Sequence, residues 1–260
     1  MTNTFVELFS GEEAAQLSPL TAVALFDEFR ELTPLDEKGD QMIESLANRL
    51  VSVDLLDRAA ELLDFQVNFR LQGIEKARVA TRLALIYMLD QQPEKTLSVL
   101  EASEMDGLPA EMDRERRLLK ARVLFETGDT GSAIQVLFND FDYDADLLRA
   151  DIYWRTQDWD MAARTLQRLV DRAAEKARTE PSSTHQNELR ELILNQAVAL
   201  ALSNRDQDLT QLRQRYVRFM AGSSYEDLFN LITDTTIEAE STRTIGRFSE
   251  LSSRFAKIDM

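Results

Sequence analysis

Cysteine is absent from this chain, which excludes disulfides and thiolate metal sites. Histidine occurs once, as His185, too few for a histidine-built metal site or a catalytic triad without other partners. Glycine (8) and proline (5) are scarce in 260 residues, which argues for long helices and few tight turns. No run of 18 apolar residues occurs, so no transmembrane helix and no membrane insertion are expected. Positive charge is short: the formal net charge is −16, which disfavours nucleic acid and anionic membranes as partners and favours solubility. Lysine is scarce beside arginine, 6 against 24, which fits a GC-rich coding sequence. The first residues, MTNTFVELFSGEEAAQ, have no basic start and carry Glu7, Glu12 and Glu13, unlike a secretory signal. The expected compartment is cytoplasmic, or periplasmic if residue 1 lies inside a longer exported protein.

What is present is a repeat. Four times an alanine is followed at +3 by Leu or Tyr, at +12 by a small residue and at +16 by leucine. The sets are Ala47, Leu50, Ala59, Leu63; Ala84, Tyr87, Thr96, Leu100; Ala121, Leu124, Ala133, Leu137; and Ala150, Tyr153, Ala162, Leu166. The +3 step puts two residues on one helix face. The stretch between +3 and +12 passes a turn, at Asp54 to Asp57, Gln91 to Glu94, Gly128 to Gly131 and Gln157 to Asp160. Each unit therefore reads as a helical hairpin. Small residues let its two helices approach, and large ones fill the seam. One hairpin cannot bury its apolar face alone, so neighbours must stack.

These sixteen residues, with Gly128 at the third turn and Pro109 after the second unit, resemble the tetratricopeptide repeat family. The alanines step by 37, 37 and 29 residues, where the family period is about 34. The early tryptophan of the family pattern is absent, and only Pro109 fills the closing proline slot. The chain thus resembles a divergent member. Together with AVALFDEFRELTP (residues 22–34), it also resembles the helical segments of large tetratricopeptide-type proteins of alphaproteobacteria. The fold expected is all-α, a right-handed α-solenoid of stacked hairpins with terminal capping helices.

In chain order, residues 1–40 are expected to cap the array, with helices over Phe5 to Gln16 and from Ser18 (N-cap) and Pro19 to about Glu31, then a loop from Leu35 to Gly39. Four hairpins occupy 41–178. Gly73 is placed to end the second helix in a left-handed cap, and Pro93 to open the fourth. Thr179 to Gln186 reads as a polar loop carrying His185 as a solvated surface residue. Residues 186–220 form a degenerate fifth hairpin: Ala197 and Leu200 fit, Leu209 and Arg213 do not. Residues 221–260 hold a short helix from Tyr225 to Ile232 and an amphipathic tail, with Ile245, Phe248, Leu251, Phe255 and Ile258 on one side. Such a helix is marginal alone and must dock on this chain, on a second copy or on a partner.

Catalytic chemistry finds little support. GDTG at Gly128 sits between helices and is not a phosphate loop. Asp140, Asp142, Asp144, Asp146 and Asp151 share the spacing of a calcium loop, but Ala145 stands where the glycine belongs. The plainer reading is an acidic linker with Asp144 capping a helix. No cofactor, metal or enzymatic activity is expected.

The resemblance implies that the first helices of the hairpins line a concave groove, with positions −3, +1 and +4 from each alanine facing inward. Those sets are Glu44, Thr81, Leu118, Leu147; Asn48, Leu85, Arg122, Asp151; and Val51, Met88, Phe125, Trp154. The candidate groove is Leu85, Met88, Leu118, Arg122, Phe125, Leu147, Asp151 and Trp154. It is apolar with one central cation and suits an apolar or amphipathic peptide or helix. Of the carboxylate-clamp pattern known in the family, only Asn48 is present. Trp159 is expected to pack between hairpins. The function expected is a non-catalytic protein–protein interaction scaffold or adaptor. Alternatives are a self-associating segment of a larger assembly, joined through the C-terminal helix, and a ligand-sensing helical domain with Arg122 meeting an anion. The chain's own tail is a further candidate occupant of the groove, and apolar residues at helical spacing can also simply be core.

Overall fold

The computed structural model describes Phe9 and residues 17–234. Among these, every regular element is helical: twelve α-helices, one short 3₁₀ turn and no strand. No described helix is long and apolar enough to cross a membrane. The amphipathic tail from Thr242 to Lys257 lies outside the described residues, as does the expected N-terminal helix apart from Phe9. That phenylalanine is helical, buried, and set edge-on to Phe26 at 6.3 Å.

The chain divides into two compact units, residues 1–140 and 141–260, each with its own core. The first holds α1 (Pro19–Glu28), the 3₁₀ turn (Arg30–Leu32), α2 (Glu37–Val51), α3 (Leu56–Phe69), α4 (Gly73–Leu89), α5 (Pro93–Ala102), α6 (Ala110–Glu126) and α7 (Thr130–Val136). Each α-helix packs on the next, and α4 also packs on α6. The second holds α8 (Tyr143–Arg155), α9 (Trp159–Thr179), α10 (Ser183–Leu202), α11 (Asp206–Met220) and α12 (Glu226–Thr233). Here too neighbours in sequence pack together, and α12 also folds back onto α10.

Capping explains where the helices begin. Ser18 accepts the Thr21 N–H at 3.1 Å, with Pro19 at the first helical position. Asp36 accepts from the N–H groups of Lys38 and Gly39, so α2 starts inside the loop expected over residues 35–39. Pro93 opens α5. Gly73 does take a positive φ of 58°, but it opens α4; α3 closes earlier, at Arg70.

The loop expected over residues 179–186 shrinks to Glu180–Ser182. Ser182 caps α10 through the His185 N–H, and the His185 ring meets the Glu180 carbonyl at 2.7 Å. His185 is thus a half-buried residue of a first helical turn, not a loop residue. The acidic segment before α8 differs as well. Asp142 holds the N-cap position, and Asp144 and Asp146 lie in the first turn of the helix.

One turn occurs five times. Asp54, Gln91, Gly128, Gln157 and Asn204 each adopt the left-handed conformation, with φ of 61°, 57°, 90°, 60° and 55°. Each lies seven residues after an alanine of the repeat, the last after Ala197. In each, the next residue donates its N–H five residues back, at 2.8–2.9 Å, to the carbonyl of Leu50, Tyr87, Leu124, Tyr153 or Leu200. This closes the open carbonyl end of the first helix and starts the second. The fifth hairpin therefore shares the turn of the other four, and its irregularity is confined to α11. The +3 residue serves every turn through its backbone carbonyl. Its side chain is buried at Leu50 and Tyr87 but only half-buried at Leu124 and Tyr153. The small +12 residues Ala59, Thr96, Ala133 and Ala162 are all fully buried, as close approach of paired helices requires.

Four of these five left-handed residues carry side chains, and that conformation costs an L-residue about 1 kcal/mol. Gln91→Gly and Gln157→Gly are each expected to stabilise the protein by up to about 1 kcal/mol, because glycine's entropy loss offsets part of the relief. Gln91→Val should do the reverse. Thermal unfolding followed by circular dichroism checks both, and a lower melting temperature for both glycine variants would contradict this account of the turn.

Candidate functional site

The eight candidate groove residues fall on three helices. Leu85 and Met88 lie on α4, Leu118, Arg122 and Phe125 on α6, and Leu147, Asp151 and Trp154 on α8. All eight are half-buried, neither core nor free surface. The first five lie on α4 and α6, two helices of the first unit that pack on each other. The other three belong to the second unit.

The α4–α6 pairing is held by an unusual arginine. Arg116 is only 7% exposed, and among the described residues it makes no ion pair. Its guanidinium donates to the carbonyls of Ala77 (3.1 Å) and Leu100 (2.7 Å) and to the hydroxyls of Thr81 (3.0 Å) and Ser103 (3.0 Å). It thereby ties α6 to both α4 and the end of α5. Burial pushes its pKa below the ordinary arginine value, with Glu104 opposing. Four hydrogen bonds replace the water it has lost. Thr81, one of the positions expected to face inward, is buried and thus spent on structure. Glu44, another, is likewise taken up by Arg78 of α4 in a two-pronged pair at 2.6 and 2.9 Å.

In the second unit, Leu147 and Trp154 pack against the core. Asp151 pairs with Arg155 one turn on, at 3.2 Å. Trp159 finds an aromatic partner within its own hairpin. It stands edge-on to Trp154, ring centroids 5.3 Å apart, across the turn of its own hairpin.

Asp146 was not anticipated. It is fully buried (0% exposed), and its two oxygens meet Arg149 (2.6 Å), Arg168 (2.6 and 3.1 Å) and Arg172 (3.5 Å). Burial would raise the carboxyl, but the hydrogen bonds from Arg168 and Arg149 together outweigh it and hold the group below the usual carboxylate range. The calcium-like spacing is not assembled into one loop. Asp140 faces Arg117, Asp146 faces three guanidiniums, and Asp151 faces Arg155. A signal for the cluster existed in the i, i+3 pair Asp146 and Arg149 and the i, i+4 pair Arg168 and Arg172. It was indistinguishable from the many exposed acid–arginine spacings elsewhere.

No family model, no curated protein and no solved structure matches this chain.

Proposed function

We propose that this chain is a non-catalytic protein–protein interaction scaffold, a divergent tetratricopeptide-type right-handed solenoid that binds an apolar or amphipathic helix. The fivefold recurrence of one left-handed turn at one distance from the repeat alanine carries this reading. It supports a common hairpin unit, and such units present first-helix residues to partners. Leu85, Met88, Leu118, Arg122 and Phe125, half-buried on the paired helices α4 and α6, support apolar recognition in the first unit. Trp154 and Leu147 form a corresponding pair on α8. Glu44 and Thr81, polar positions of the expected inward set, are tied up internally, which favours apolar contact.

The test is affinity purification from native extract with mass spectrometry. It compares wild type with a Met88→Asp, Phe125→Asp variant and, separately, with Trp154→Asp, after circular dichroism shows that all are folded. A buried aromatic anchor replaced by aspartate should weaken a true partner by more than about thirtyfold. A partner lost only from the first variant places binding on α4 and α6. Retention of every specific partner by both variants would sink the groove reading.

A further inference from the structure

The second unit contains a cleft of about 340 Å³ between α9, α10 and α11, which is within the usual size range for small-molecule sites. Ala163, Leu200 and Leu212 supply apolar wall. Two other lining residues are almost wholly buried, Gln196 at 2% exposure and Tyr216 at 7%. Gln196 donates its amide to the Gln167 side chain at 2.5 Å, but its carbonyl oxygen has no partner. The Tyr216 hydroxyl has none either. Buried polar groups are rarely left unpaired, and two in one cleft amount to an unmet donor requirement beside an unmet acceptor requirement. Arg215, more than half exposed, stands over the Tyr216 ring at 5.0 Å from its centroid.

Charge at the mouth narrows the chemistry. Arg164 and Arg205 share Asp160, Arg205 also pairs with Asp208, and Arg215 pairs with Asp171. Three lining guanidiniums, Arg164, Arg205 and Arg215, are thus each paired with a carboxylate, and the carboxylate Asp208 lines the cleft with them. A simple anion would have to displace those carboxylates, and a simple cation would meet the guanidiniums. A zwitterion can engage both, and exposed ion pairs of this kind are cheap to exchange.

We propose that this cleft is a binding site for a small zwitterion of the free α-amino-acid class. Its ammonium and carboxylate sit among the mouth charges, and its polar atoms answer Gln196 Oε1 and the Tyr216 hydroxyl. This site is independent of the α4–α6 face and stands or falls separately from it.

The full chain, isotopically labelled, is titrated by NMR with each of the common L-amino acids at millimolar concentration, beside thermal melts. At least one should shift the Gln196 side-chain amide saturably and raise the melting temperature. Tyr216→Phe and Gln196→Leu should each weaken that amino acid about tenfold, the equivalent of one lost hydrogen bond. Without additive, Tyr216→Phe should melt no lower than wild type, because the hydroxyl it removes has no partner. The proposal is overturned if no amino acid perturbs Gln196, if binding survives both variants undiminished, or if Tyr216→Phe alone melts lower.

Discussion

Asp146→Ala is expected to cost the second unit about 3–5 kcal/mol, the loss typical when one partner of a buried ion pair is removed. The carboxylate has no exposure and stands among Arg149, Arg168 and Arg172. It joins the first turn of α8 to two successive turns of α9. Without it, the guanidinium of Arg149, itself buried, loses the Asp146 carboxylate and stands near two other cations. Asp151→Ala, which breaks only the partly exposed pair to Arg155, is the control and should cost under about 1 kcal/mol. Urea unfolding of both variants decides the matter. Equal midpoints would show that the cluster adds nothing. Acid gives the same test without mutation. The Asp146 pKa is depressed in the fold, so its stabilisation is present above the ordinary carboxylate pKa. It is lost as pH falls through the depressed value. Wild type should therefore lose stability on acidification more steeply than Asp146→Asn.

Gly39→Ala is the second large effect, about 3 kcal/mol of destabilisation in the first unit. A Cβ at this position would overlap the Pro34 carbonyl oxygen and lie 2.9 Å from its carbon and 3.0 Å from Arg70 Nη2. The obstacle is backbone, so no rotamer change relieves it. The contact is also the anchor of Arg70, which donates to the Pro34 carbonyl at 2.5 Å and to Asp40 at 2.7 Å and so joins α3 to the start of α2. Gly107→Ala makes the useful contrast. Nothing lies within 4 Å of the added carbon there, and its cost comes only from a φ of 79°. Denaturation midpoints that place Gly39→Ala at or above Gly107→Ala would refute the close-approach account.

The helices, the positions of their turns and the hairpin unit were legible from local pattern alone. An alanine with a large residue three places on, and a small residue nine beyond that, reports a close helix pair whatever the rest of the chain does. The candidate groove was legible only as a face: spacing gives the side of α4, α6 or α8 on which Met88, Phe125 or Trp154 lies, but not what packs there. Local pattern misled where a side chain's partner was distant in sequence. Asp144 looked like the helix cap and Asp146 like its solvated neighbour, yet Asp144 is exposed and Asp146 fully buried, because Arg168 and Arg172 arrive from the next helix. His185 looked like loop because Pro181 and Ser182 break the pattern, although Ser182 immediately restarts a helix by capping it.

By itself, the order of residues determined an all-α architecture for the described residues, the places of their inter-helix turns and the small residues at their helix contacts. Those depend on hydrogen bonds and packing within a few residues of one another. Only the tertiary structure decided which charges are buried and where polar groups stand unpaired. Arg116 and Asp146 read like any of the chain's other charged residues, and Gln196 and Tyr216 like ordinary helix positions. What sets them apart is the loss of water around them, and that is a property of three helices meeting, not of any one.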